Sequence, residues 1–162
     1  MTRKVQNRKL CVWALACYLS AFFCPFANTQ PSVFKADPDA AKLFFNNHNY
    51  FSAIKVYQLL LKKEPDHAEY NQMIAKCYML SNSIKAKAIP HLEFLIKQEK
   101  FPDDTWLDLG RAYHFSNRFD DAIRYYNKYK EKVSDDKKAL ALAERYIEQA
   151  HNGKELVKHT MN

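Results

Sequence analysis

Three pairs of adjacent carboxylates are the groups best suited by type to move a proton: Asp103-Asp104, Asp120-Asp121 and Asp135-Asp136. Two carboxylates can divide acid and base roles when both face one reacting bond. Sequence neighbours on a helix point roughly 100° apart, so these pairs are not built to share a substrate. Each pair also falls at an expected helix start, where a carboxylate caps free N–H groups at the positive end of the dipole. Capping is the expectation. The six histidines (48, 67, 91, 114, 151 and 159) show no ligand spacing, and Cys77 has no Cys or His within four positions. Two glycines cannot build a phosphate loop, and no Ser, Thr or Cys sits in a nucleophile motif. Cys77 reads as a small packed residue. No catalytic residue, metal site or cofactor is expected.

A second set of residues points to recognition. A basic residue follows a small one three times, as Ala41-Lys42, Ala75-Lys76 and Gly110-Arg111. Three residues further on stand Phe45, Met79 and His114, which share the helix face of the basic residue. A basic ladder beside an apolar strip would suit an extended peptide that carries carboxylates. Solvated helix positions are also often Lys or Arg, so an ordinary wet face is the competing reading.

The elements that would carry these residues repeat. The small–aromatic column runs Ala41/Phe44, Ala75/Tyr78, Gly110/Tyr113, and a second column runs Ala53/Tyr57, Ala88/Leu92, Ala122/Tyr126. Both advance by 34 or 35 residues, and that period marks the tetratricopeptide repeat, a pair of antiparallel helices. Asp37-Pro38 opens the first helix, expected over 38–46, with Asn46 to Asn49 as the turn and a second helix from Tyr50 to about Glu64-Pro65. The next pair is expected over 68–80 and 85–100, and the third opens at Phe101 to Asp104 and at Asp120-Asp121, with its turn at Asn117-Arg118. A last helix begins at Asp135-Asp136 with the stripe Leu140, Ala143, Tyr146 or Ile147, Ala150, and Asn152-Gly153 reads as its stop. Tyr125 and Phe115 look surplus to packing. The expected organisation is all-α, a tetratricopeptide-type α-solenoid of three helix pairs (37–67, 68–102, 103–134), a capping helix (135–153) and a short basic tail (154–162). Such stacks leave a concave surface lined by the first helix of each pair, which is where the ladder would lie.

The N-terminus reads as an export signal. Four of the basic residues behind the net charge of +7 (Arg3, Lys4, Arg8 and Lys9) precede the first acidic residue, Asp37, and without those four the charge is +3. That remainder is too modest to argue for nucleic acid. The 14-residue apolar run Leu10–Phe23 follows them, then Ala27 before a polar stretch. As a helix the run rises about 21 Å, short of the ~30 Å hydrocarbon core, which favours a cleaved signal peptide over residues 1–27. An uncleaved anchor over Leu10–Phe26 is the alternative, and the seven apolar residues before Cys17 are too few for a lipoprotein signal. Residues 28–36, with Pro31, form a linker. Three of the four cysteines lie in the signal. The location this implies is periplasmic.

A narrower resemblance rests on Lys87-Ala88-Ile89-Pro90-His91-Leu92-Glu93, Leu109-Gly110-Arg111-Ala112-Tyr113-His114, Phe119-Asp120-Asp121-Ala122-Ile123, and Glu144-Arg145-Tyr146-Ile147-Glu148 before Asn152-Gly153. These resemble the N-terminal tetratricopeptide module of Bacteroidetes OmpA-family, peptidoglycan-associated outer-membrane proteins, some tied to type IX secretion. There the module precedes a propeller and a peptidoglycan-gripping domain. No residue here belongs to those, so peptidoglycan binding is not implied. The resemblance implies an interaction module with a protein or peptide partner, docked on an envelope or secretion assembly and associated with the outer membrane through that partner. The alternative is a periplasmic chaperone-like subunit holding unfolded or outer-membrane clients. The chaperone-type carboxylate clamp does not fit, since it wants Asn at Lys42 and basic residues at Asp104 and Asp108.

Overall fold

Four of the helices begin where a side chain takes up a free backbone N–H. Asp37 accepts from the Asp39 amide (3.0 Å) with Pro38 beside it, Asn49 from Ser52 (3.2 Å), and His67 through Nδ1 from Tyr70 (3.4 Å). Asp136 accepts from both Lys138 (2.9 Å) and Ala139 (3.1 Å). A computed structural model describes residues 34–81 and 85–160, and every regular element among them is helical. In order these are α1 (Pro38–Asn46), α2 (Tyr50–Lys63), α3 (Ala68–Leu80), a 3₁₀ turn (Lys85–Ala88), α4 (Ile89–Leu95), α5 (Asp104–His114), α6 (Phe119–Lys132) and α7 (Lys137–Thr160). The expected signal (1–27) and most of the linker lie outside the described residues. No described helix is long and apolar enough to cross a membrane.

Of the three acidic pairs, only Asp135-Asp136 caps a helix through its side chain. Asp103 precedes α5 without a capping bond, and the cap of α6 is Arg118. Asp120 and Asp121 sit one step inside, in the first turn, where the dipole still favours them and cations can reach them.

The turns of the first and third pairs are the same object. His48 and Asn117 have φ of 57° and 56°, and each follows a helix C-terminus. The Asn49 amide donates to the Phe44 carbonyl (2.8 Å) as Arg118 donates to Tyr113 (3.0 Å), while His48 donates to Phe45 and Asn117 to His114. That is the Schellman arrangement, which closes a helix by placing one residue in the left-handed region.

Packing follows the period. Ala41, Ala53, Ala75, Ala88 and Ala122 are fully buried or nearly so, and consecutive elements pack on one another along the chain from α1 to α7. Contacts recur in register. Tyr78 stacks on His91 (centroids 6.1 Å) as Tyr113 stacks on Tyr125 (5.4 Å). Gln58 of α2 donates to the Tyr78 hydroxyl (3.0 Å), and one repeat later the Tyr113 hydroxyl donates to Glu93 of α4. The described chain is thus an all-α, repeat-like fold. Tyr125 is not surplus: it is buried between Tyr113 and Trp106. Phe115 is exposed, with the Lys85 ammonium 5.2 Å from its ring.

Two elements depart from expectation. The helix expected over 85–100 is a 3₁₀ turn plus the short α4, because Pro90 lacks the N–H that would bond back to Ala86. Past Leu95 the backbone closes in tighter turns (Lys97 to Phe94, Gln98 to Leu95), and the Gln98 side-chain amide takes the Phe94 carbonyl. The final helix does not stop at Asn152-Gly153 but runs to Thr160, taking in residues 154–160 of the expected tail. Gly153 serves a close approach instead: a Cβ there would lie 2.6 Å from the Phe119 ring. Lys154 pairs with Asp120 and Val157 packs on the core, so the turn that follows the glycine is held against the fold.

Candidate partner-binding surface

Lys42, Lys76 and Arg111 stand on α1, α3 and α5, but two of the three cations are already matched within the chain. Lys42 on α1 reaches Glu69 on α3 (3.0 Å), with both side chains about half exposed. That bond holds the Lys42 ammonium above its ordinary range. Arg111 on α5 pairs with Asp108 one turn earlier (3.0 Å), and both are largely buried. Lys76 on α3 is exposed and has no ion pair within 4.0 Å among the described residues. The ladder therefore presents one unmatched cation.

The apolar strip is only partly accessible. Met79 is only 4 % exposed and lies in the core. Phe45 is half-buried and packs edge-on against Tyr50 (5.6 Å). His114 packs on Phe119 (5.4 Å) and approaches the Tyr126 hydroxyl through Nδ1 (3.4 Å), and its burial pushes its pKa down. Phe45 and His114 thus touch the next helix, and Met79 lies in the core. A residue three places on from a solvent-facing one can still reach the core, because the buried stripe of a packed helix is more than 100° wide.

Lys76 stands at a cleft of about 90 Å³ formed where α3, α4 and α5 meet. Its walls are Gln72 and Lys76 from α3 and Asp104, Thr105 and Asp108 from α5, over Leu92, Leu95 and Pro102. Burial pushes the Asp108 carboxyl above the usual carboxylate range, against the opposing pull of Arg111. Asp104 lies beside the Tyr129 phenol, whose own pKa is raised first by burial. Sequence reasoning read Asp104 as a helix cap and joined neither carboxylate to the ladder, yet a signal was present. Glu69 and Asp104 are 35 residues apart, so the Lys42–Glu69 pair moved on by one repeat is Lys76 and Asp104.

Other polar groups are spent on architecture. Asn71, buried at 4 % exposure, donates to the carbonyls of Pro65 (2.9 Å) and His67 (3.1 Å) and accepts from His91 Nδ1 (2.8 Å). With the amide so oriented, the His91 proton must sit on Nδ1. Burial pushes the Cys77 thiol up to about 12, which keeps it protonated and inert.

No protein-family model matches this chain, and no curated protein matches it significantly.

Proposed function

We propose that this chain is an exported protein–protein interaction module of the tetratricopeptide type, a docking subunit of a cell-envelope assembly. The observation that carries the reading is the recurrence of contacts in register, Gln58–Tyr78 with Glu93–Tyr113 and Tyr78/His91 with Tyr113/Tyr125. Stacked helix pairs of this kind bury their apolar faces against one another and leave one face of side chains for a partner. The partner is a protein segment laid across α1, α3 and α5, in the periplasm, and through it the module associates with the outer membrane. The matched ion pairs along this face argue for a segment of mixed charge rather than a uniformly acidic one.

The test is crosslinking in the native cell through a photoreactive residue at Lys76, with one at Arg145 on α7 as control. A docking module gives one stoichiometric product from position 76 and none from position 145. A ladder of many products, together with suppression of client aggregation by the purified chain, would instead establish the chaperone-like alternative. Recovery of intact Met1 from the cytosol would overturn export.

A further inference from the structure

The cleft beneath Lys76 has the dimensions of one side-chain terminus, and its polar and apolar lining defines what would fill it. A volume of about 90 Å³ is room for roughly three waters. Thr105 lines it at 4 % exposure, and among the described residues no hydrogen bond involves its hydroxyl. The hydroxyl is not sealed from solvent, so it is open to a partner that enters the cleft. Gln72 offers a second uncharged acceptor. Asp104 and Asp108, four residues apart, project from one face of α5, and Arg111 engages Oδ1 of Asp108. Leu92 and Leu95, both 3 % exposed, form an apolar floor with Pro102. The lining thus combines acceptors at one level with a surface for methylene groups at another. Lys76 at the rim is the one cation in the lining and is itself exposed.

We infer that this cleft is a recognition subsite for a Lys or Arg side chain of the docked segment. The stem lies along Leu92, Leu95 and Pro102, as long basic side chains do on apolar surface, and the cationic head donates to Asp104, Asp108 and Thr105. A cation placed there also offsets the rise that burial gives the Asp108 pKa. Lys76, whose field already reaches Asp108 without pairing with it, opposes an incoming cation at the rim by like-charge repulsion. This reading rests on the interaction module proposed above, but its test needs no partner.

The probes are ethylguanidinium and butyrate, titrated separately into the full chain labelled for amide NMR. Ethylguanidinium is expected to produce saturable shifts confined to Gln72, Thr105 and Asp108. Asp104→Asn, an exposed change that leaves packing intact, weakens those shifts at least tenfold, and Asp108→Asn does the same if its melting temperature is unchanged. Lys76→Met strengthens them several-fold. Saturable butyrate shifts at the same amides, abolished by Lys76→Met, would overturn the assignment in favour of an anionic ligand. Ethylguanidinium shifts no larger there than at the exposed amides of α7 would overturn it outright. Loss of the position-76 crosslink with cation binding intact would count against the docking function and leave the subsite standing.

Discussion

The second and third helix pairs surround equivalent sequence positions with different chemistry. In the second, Asn71 ties the α2–α3 turn to His91 through three hydrogen bonds, with Tyr78 stacked on that imidazole. In the third, the equivalent positions hold Trp106 and Tyr125, stacked at 5.9 Å, with Tyr113 on the far side. The close-contact column differs in the same way: Ala75 and Leu92 in one pair, Gly110 and Tyr126 in the other. A hypothetical Cβ on Gly110 would lie 2.4 Å from the Tyr126 ring, so the small residue has shrunk where its neighbour has grown. Two kinds of interior, one directional and polar and one aromatic, satisfy one geometry because what the repeat conserves is the volume between its helices.

The largest effect is expected where that volume is tightest. Gly110→Leu should cost about 1–3 kcal/mol or more by overpacking against Tyr126. The smaller change Gly110→Ala should be partly rescued by Tyr126→Leu, which rebuilds the second pair's combination. Thermal melts of the two single variants and the double give the coupling, and additive costs would show that the columns are not equivalent.

Next is the polar node. Asn71→Leu strands the Pro65 and His67 carbonyls and the His91 donor, for a loss of about 2 kcal/mol. Chemical denaturation should show it as a lower midpoint at unchanged slope.

A smaller effect follows from pH. Burial lowers the His91 pKa, and the His114 pKa likewise, so both are neutral in the fold and protonate more readily once unfolded. Their stabilisation is complete above the unfolded value of about 6.5 and declines as pH falls below it toward the folded values. Melting temperature should therefore drop between pH 7.5 and 5, and His91→Gln, which keeps a donor toward Asn71, should flatten part of that slope. An unchanged slope would mean that His91 is not buried as described.

The smallest effect runs the other way. Tyr57 occupies the first pair's counterpart of Tyr126, and Phe45 that of His114. Tyr126 finds His114 at 3.4 Å, whereas the buried Tyr57 hydroxyl has no partner among the described residues, and burial pushes its pKa up to about 12. Tyr57→Phe should be neutral or stabilise by about 1 kcal/mol, and a clear loss in a melt would reveal a partner.

Much of the helical frame was legible beforehand, because small residues, caps and prolines act locally and leave a mark at a fixed period. Ala41, Ala75, Ala88 and Ala122 lie in the core as their columns required, and Asp37-Pro38 starts a helix as its residue types demand. The register of each column followed from spacing alone. Which helix face met solvent did not. Met79 and His114 follow Lys76 and Arg111 by three residues, yet Met79 turns into the core and His114 packs on Phe119, since that depends on where the neighbouring helix lies. Gly153 carried the local mark of a helix stop, and only the Phe119 ring packed against it shows that the backbone continues. The matching of Lys42 by Glu69, and the gathering of Asp104, Thr105 and Asp108 beneath Lys76, join residues tens of positions apart. Local chemistry specified where the helices are, while the partner of each charge was set by tertiary packing, because a side chain's field and its burial depend on everything folded around it.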